Sequence, residues 1–245
     1  MERIALISDI HGNMPALEAA LDDIERRGVA RVFCLGDLVG KGPHSDRVVD
    51  VCRDRCEQIV RGNWDDGVAT PAADGDPVLR WHRARLGTER LAYLSALPNA
   101  LDFVMSGRRI RLLHASPRGV HHRVHAGDPD EKLRAMFDST DFTGHGVESD
   151  VVGYGDIHAA YLRTFHLRVL FNAGSVGNPL DLPLACYAIL EGRLGDGAVG
   201  PLSINLVRVP YDIERAIREA TEEGMPALQP YAKELRTARY RGYEA

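Results

Sequence analysis

Ile4-Ala5-Leu6-Ile7-Ser8-Asp9-Ile10-His11-Gly12-Asn13 decides the fold class. Residues 3 to 8 form an apolar run of strand length, and a few residues later Asn13 can cap a helix. Apolar residues recur at helical spacing up to residue 27, with Pro15 in the first turn and Gly28 just past the end. A strand feeding into a helix is the opening unit of an α/β sheet. The alternation continues with a strand at about 31–35, a helix at 44–54 and a strand at 57–61. Residues 64–97 read as a mostly helical insertion or cap. Strands at 100–105 and 109–114 join as a hairpin around Ser106-Gly107. A short helix near 129–137 and a strand at 150–153 follow, then strand-like runs near 161–171, 184–190 and 202–208, and a helical tail from 211. This pattern predicts an α/β protein of one domain, residues 1–245, with two packed sheets and helices outside them.

Composition narrows the function classes. The chain has 245 residues, 44% apolar and 27% charged, enough for a sizeable core and unlike a disordered or disulfide-stapled chain. A net charge of -5 gives no overall footprint for nucleic acid. The arginines around Arg108, Arg109 and Arg111, and around Arg236, Arg239 and Arg241, are expected to be solvated faces. No stretch approaches the ~20 apolar residues that span a bilayer, and the start lacks the pattern of an export leader. Cys34, Cys52, Cys56 and Cys186 have no zinc or disulfide spacing and read as reduced thiols. A cytoplasmic protein with no membrane partner is expected.

Side chains able to hold a metal follow one predicted strand after another, at the carboxyl ends where open α/β sheets gather their ligands. Asp9-Ile10-His11 follows the first strand and Gly36-Asp37-Leu38-Val39-Gly40 the second. Gly62-Asn63-Trp64-Asp65 comes next, then His114 at the end of Ile110-Arg111-Leu112-Leu113, and Gly155-Asp156-Ile157-His158 after Val151-Val152-Gly153. One Asp at a strand end is usually a turn or cap residue. Five such ends in succession, in Gly-marked turns, need another reason. Hydrolysis of phosphate esters supplies one, because two cations about 3.5–4 Å apart stabilise the attacking and leaving oxygens and acidify a water.

The order of these motifs, followed by Asn172-Ala173-Gly174-Ser175-Val176-Gly177-Asn178-Pro179, resembles the calcineurin-like metallophosphoesterases, in particular their small bacterial and archaeal branch. The resemblance runs from residue 4 to about 190. It implies a four-layer α/β/β/α sandwich in which Asp9, His11 and His158 bind one metal, Asp37 bridges, and Asn63 and His114 bind the other. Asp37, Asn63 and His114 would then stand at the reacting phosphate, and a hydroxide between the ions would attack phosphorus. Mn²⁺ is the expected metal, with Fe, Zn, Ni or Mg as alternatives. The expected substrate is a small phosphodiester, nucleotide anhydride or phosphate ester. Two departures stand out. Asp156 occupies the place of a family histidine; as a hard ligand it suits Mn²⁺ or Mg²⁺, and it is expected to loosen the second site. Trp64 replaces a residue able to protonate the leaving group, and is expected to pack or to stack on a base or aryl group. A degenerate family member that binds a ligand or partner without turnover is the alternative.

Several other features have ordinary readings. Gly36 to Gly42 fits no phosphate-loop spacing, so Lys41 reads as an exposed loop side chain. In the loop after His114, Arg118 and His122 are candidate substrate contacts beside His121, Arg123 and His125. Trp81, His82, Arg83 and Arg85 belong to a packed helix or a cap over the site. His145 and His166 fit no motif.

Overall fold

The computed structural model describes residues 1–70, 75–144 and 146–240; His145 and Arg241 lie outside them. Ten strands form two five-stranded sheets among the described residues. The first has the order β10-β9-β1-β2-β3, built from β1 (Glu2–Ile7), β2 (Arg31–Cys34), β3 (Gln58–Ile59), β9 (Ala185–Gly192) and β10 (Ser203–Val209). The second has the order β4-β5-β6-β8-β7, from β4 (Ala100–Met105), β5 (Arg108–Leu113), β6 (Val151–Tyr154), β7 (Tyr161–Phe165) and β8 (Arg168–Asn172). Strands β1, β2 and β3 run parallel, as do β5, β6 and β8. Each sheet therefore presents three adjacent carboxyl ends on one side, and the two triplets face a common region.

The alternation of β1 sets the layers. Ile4 and Leu6 point into the space between the sheets, against Phe33, Ile110, Leu112 and Phe171. Ala5 and Ile7 point outward, under helices α1 (Met14–Arg26) and α2 (Ser45–Arg55), as the two-residue period of a strand requires. On the far side Leu113, Val152 and Tyr154 pack against Leu133 of the short helix α5 (Asp130–Arg134) and against Phe137. The result is the expected α/β/β/α sandwich. Helix α1 starts where the sequence predicts: Asn13 accepts a hydrogen bond from Ala16 N at 3.2 Å, and the helix gives way to Gly28 at φ 64°.

Helices α3 (Asn63–Ala69) and α4 (Pro77–Ser95) occupy the region predicted to be helical, and α4 kinks at Gly87. His82 on α4 is fully buried, with Nδ1 3.0 Å from Ser45 Oγ and Nε2 without a hydrogen-bond partner. Arg83 donates to the carbonyls of Val68 and Thr70, so the α4 side chains singled out in the sequence pack the helix down. Arg111, expected on a solvated face, is also fully buried. It stands on the outer face of β5 under the 138–139 segment, donating to Asp102 Oδ1 at 2.8 Å and to the Asp138 carbonyl at 2.9 Å.

Other differences have local causes. The run at 161–171 divides into the hairpin β7–β8, with His166 at φ 53° in its turn. Beyond α6 (Ile213–Glu222), a further helix, α7 (Leu228–Thr237), buries Tyr231, Ala232 and Leu235. Pro226 and Pro230 break up its sequence signal, yet Pro230 lies in the first turn, where a helix tolerates proline. No helix among the described residues is long and apolar enough to cross a membrane.

Burial lowers the His82 pKa to about 4. The unfolded chain thus takes up a proton near pH 6.5 that the folded chain refuses until about pH 4, and stability falls with pH across that window. The expected loss is on the order of 3 kcal/mol. Urea unfolding at pH 7 and pH 4.5 checks this: His82→Leu should have a lower stability at pH 7 and a flatter pH dependence than wild type.

Candidate metal centre

Five of the predicted site residues share an unusual backbone. Asp9, His11, Asp37, Asp156 and His158 have φ of 53, 50, 55, 65 and 58°, in the left-handed region that side chains other than Asn, Asp and His seldom occupy. Each stands in the turn that leaves a parallel strand, and the bend aims its side chain back across the strand tips. All five are buried.

Hydrogen bonds hold the turns in register. Asp65 is fully buried and gathers four backbone N–H groups from two loops: Oδ2 accepts from Asp37 and Gly62 at 2.8 and 2.9 Å, Oδ1 from Leu38 and Val39 at 3.0 and 3.4 Å. The two loops touch so closely that a Cβ on Gly62 would lie 2.1 Å from Asp37 Oδ1. Asp37 Oδ1 accepts from Trp64 N at 2.8 Å, and Asp9 Oδ2 from Ser8 Oγ and Asp156 N at 2.6 and 3.1 Å. The 172–178 loop braces the other side. Ser175 Oγ donates to the Asp9 carbonyl at 2.7 Å, and the Asn178 carbonyl accepts from His158 Nδ1 at 2.5 Å.

The histidines follow one rule. Nδ1 of His11, His114 and His158 donates to the carbonyls of Val39, Leu35 and Asn178 at 3.0, 2.8 and 2.5 Å. This orients each ring and turns Nε2 inward, the arrangement that metal-binding imidazoles use. His11 Nε2 and His158 Nε2 are 3.0 Å apart, and His158 Nε2 is 3.1 Å from Asp9 Oδ1, a buried oxygen without a hydrogen-bond partner. His114 Nε2 stands 2.9 Å from Asn63 Oδ1 and 3.5 Å from Asp37 Oδ1. Donor atoms thus converge in two groups, Asp9 with His11 and His158, and Asp9 with Asp37 and His114.

The electrostatics favour a cation. Burial pushes the Asp37 carboxyl well above the ordinary range, with His114 only partly offsetting it. Burial also acts to raise Asp9, but His158, His114 and His11 outweigh it and hold that carboxyl below its usual value. Burial opposes charge on His114, yet Asp37, Asp9 and Asp156 hold its pKa at about 9. Buried His11 is lowered instead and stays neutral, its Nε2 offering a lone pair. Mixed N and O donors, an orphaned carboxylate oxygen and a negative field together fit divalent metal ions.

Asp156 carries a partner that the sequence did not suggest. Arg123 Nη2 donates to its Oδ1 at 2.7 Å and Nε to its Oδ2 at 3.0 Å, and Asp156 belongs to neither converging group. A cleft of about 540 Å³ opens over the centre, lined among others by Asp37, Trp64, Arg123, His125, Asp156 and His158. Arg118 and His122, expected beside the substrate, line a separate hollow with Lys132, Arg134 and Arg168. Lys41, expected to be exposed, is half-buried, its Nζ donating to Asn178 Oδ1 at 2.6 Å. Trp64 lies edge-on to His11 and His82, with ring centroids 5.8 and 6.2 Å away. Arg123 and His125 belong to the basic loop noted after His114, and Asp65 and Asn178 to motifs quoted above, but their partners were not legible from sequence position. Asp65 alone left a trace, as the acid three residues after Gly62 at the start of α3.

Strand tips that gather carboxylates and imidazoles in this way define a metal-dependent hydrolase class. The calcineurin-like phosphoesterase superfamily domain matches residues 2–193, and the chain belongs to that family. An uncharacterized protein of Methanocaldococcus jannaschii is 32% identical over 241 residues, covering 91% of this chain and 93% of its own. The crystal structure of a metallophosphoesterase from Sphaerobacter thermophilus is 25% identical with a TM-score of 0.76, covering 97% of this chain and 99% of its own. A hypothetical protein from Pyrococcus horikoshii shares the fold at 19% identity and a TM-score of 0.77, over the full length of both chains.

Gly62→Ala should spoil the centre without unfolding the chain. The added methyl must displace Asp37, at a cost of about 1–3 kcal/mol. Calorimetric titration with Mn²⁺ should show weakened metal binding beside a circular dichroism spectrum like that of wild type.

Proposed function

We propose that this chain is a phosphohydrolase using two divalent metal ions, and that its substrates are small phosphodiesters or nucleotide anhydrides. The observation that carries this reading is the convergence of Asp9, His11 and His158 on one side of the centre and of Asp9, Asp37 and His114 on the other. In this reading Asp9, His11 and His158 hold the first ion and Asp37 bridges. Asn63 and His114 hold the second, with Asp156 the remaining carboxylate at the cluster. Bound ions supply Lewis acidity and a water of lowered pKa. Mn²⁺ fits a donor set that mixes carboxylate and amide oxygen with imidazole and has no thiolate.

The protein's own groups supply orientation and selectivity. The Nδ1 contacts of His11, His114 and His158 to carbonyls fix the rings before substrate arrives. Asp65 holds the Asp37 turn against the Asn63 turn, which sets the spacing of the two proposed positions. Indole has no proton to give a leaving group near neutral pH, so Trp64 favours substrates whose leaving group departs without protonation there. Its place on the cleft wall supports stacking with a base or aryl group. The four cysteines are free and three are buried, which supports a reducing, cytoplasmic setting.

Hydrolysis of bis(p-nitrophenyl) phosphate with added Mn²⁺ tests the reaction. Asp37→Asn should cut turnover on the order of a hundredfold or more while the protein still folds. Near-normal turnover would remove Asp37 from the bridging role, and metal binding without hydrolysis in the wild type would favour the binding-only alternative. Trp64→Ala should raise KM for nucleotide or aryl substrates by about tenfold, and for methyl phosphate esters much less. An equal rise for both would assign Trp64 to packing.

A further inference from the structure

Asp156 and Arg123 meet through two parallel hydrogen bonds of 2.7 and 3.0 Å, the planar match of guanidinium and carboxylate. The two ends of this pair face different surroundings. The Asp156 side chain is 3% exposed and the Arg123 side chain 49% exposed, so the carboxylate belongs to the centre while the guanidinium reaches the cleft. Asp156 N also donates to Asp9 Oδ2, which places this residue against the carboxylate shared by the two groups of donors.

The loop that carries Arg123 is pinned beside it. Val124 is buried in the cluster that contains Leu113 and Tyr154, and its carbonyl accepts from Tyr154 Oη at 2.8 Å. The two chain segments are thus joined at neighbouring points, by Tyr154 to Val124 and by Asp156 to Arg123. The backbone beside Arg123 is thus held in place, while its half-exposed guanidinium is held only through Asp156. The guanidinium also keeps its charge at any working pH.

Two consequences follow from charge alone. A second divalent ion drawn to Asp37, Asn63 and His114 meets an Asp156 carboxylate whose two oxygens are already bonded to a cation, and like charges repel. The guanidinium has five N–H donors and spends two on Asp156, leaving others for an anion in the cleft.

We infer that Arg123 is a resident cation of the centre: it competes with the second metal ion for Asp156 and binds a phosphate oxygen of the substrate. The inference rests on the two-ion reading above. Asp156 then acts as the anchor of Arg123 whenever the second ion is absent, and the exchange makes the first ion firm and the second labile.

Arg123→Ala tests both halves in the full-length protein, with Mn²⁺ and inorganic phosphate as the probes. In calorimetric and elemental analysis, the variant should bind the second Mn²⁺ at least tenfold more tightly than wild type, with the first ion unchanged. Inorganic phosphate, measured as a competitive inhibitor and by direct binding, should bind about tenfold more weakly. Arg123→Lys keeps the charge but not the two-point bond, so it should fall between wild type and the alanine variant in both measurements. It also serves if Arg123→Ala does not fold. A second-site Mn²⁺ affinity that stays level or falls on removing Arg123 overturns the competition, and unchanged phosphate affinity overturns the anion contact. A wild type that binds no Mn²⁺ at all would instead refute the two-ion reading on which the inference stands.

Discussion

Everything at the strand tips answers to the cost of placing Asp9, Asp37, Asp65 and Asp156 out of water in one region. Each carboxylate has its own solution. Asp65 is satisfied by four backbone N–H groups, and so becomes the clasp between two loops. Asp156 is satisfied by a guanidinium. Asp37 receives one N–H and the field of His114, and burial still pushes its carboxyl upward. Asp9 keeps one oxygen with no hydrogen-bond partner. The two carboxylates least satisfied by protein are those assigned to metal, and the two best satisfied define the frame around them.

The sandwich exists to make this concentration of charge possible. Three parallel strands in each sheet end on the same side, so six turns of one chain are brought to one edge of the sandwich. The apolar faces of β1 and its neighbours fill both the space between the sheets and the space beneath the helices. The turns of the site bury Ile10, Leu38 and Val39 in that core, and hydrogen bonds between the turns add to their rigidity.

What could be read from sequence follows the range of each interaction. The predicted strand at 3–8 and the helix beginning after Asn13 are local signals, and both appear. The strand-tip positions of Asp9, His11, Asp37, Asn63, His114, Asp156 and His158 followed from strand ends and Gly-marked turns. The family resemblance supplied their expected grouping, and the structure brings the donor atoms of Asp9, His11 and His158, and of Asp9, Asp37 and His114, together. The orientation of Arg123 was not legible because a loop has no period: nothing in the order of Arg118, His121, His122, Arg123 and His125 says that Arg123 and His125 line the cleft while Arg118 and His122 line another hollow. Lys41 looked exposed because its partners Asn178 and Glu234 are distant in sequence, although the side chain lies in a tight turn beside the centre. Helix α7 was obscured by prolines that are harmless where they fall.

The left-handed backbone at Asp9, His11, Asp37, Asp156 and His158 sets a trade between robustness and chemistry. An L-residue held there costs roughly 1–3 kcal/mol, and glycine would relax it. Replacing any of the five by glycine therefore gains backbone ease at the same step that removes a donor or anchor from the centre. Drift that favours a sturdier fold would erode these positions first. Each of the five thus holds a strained backbone together with the donor or anchor its side chain supplies.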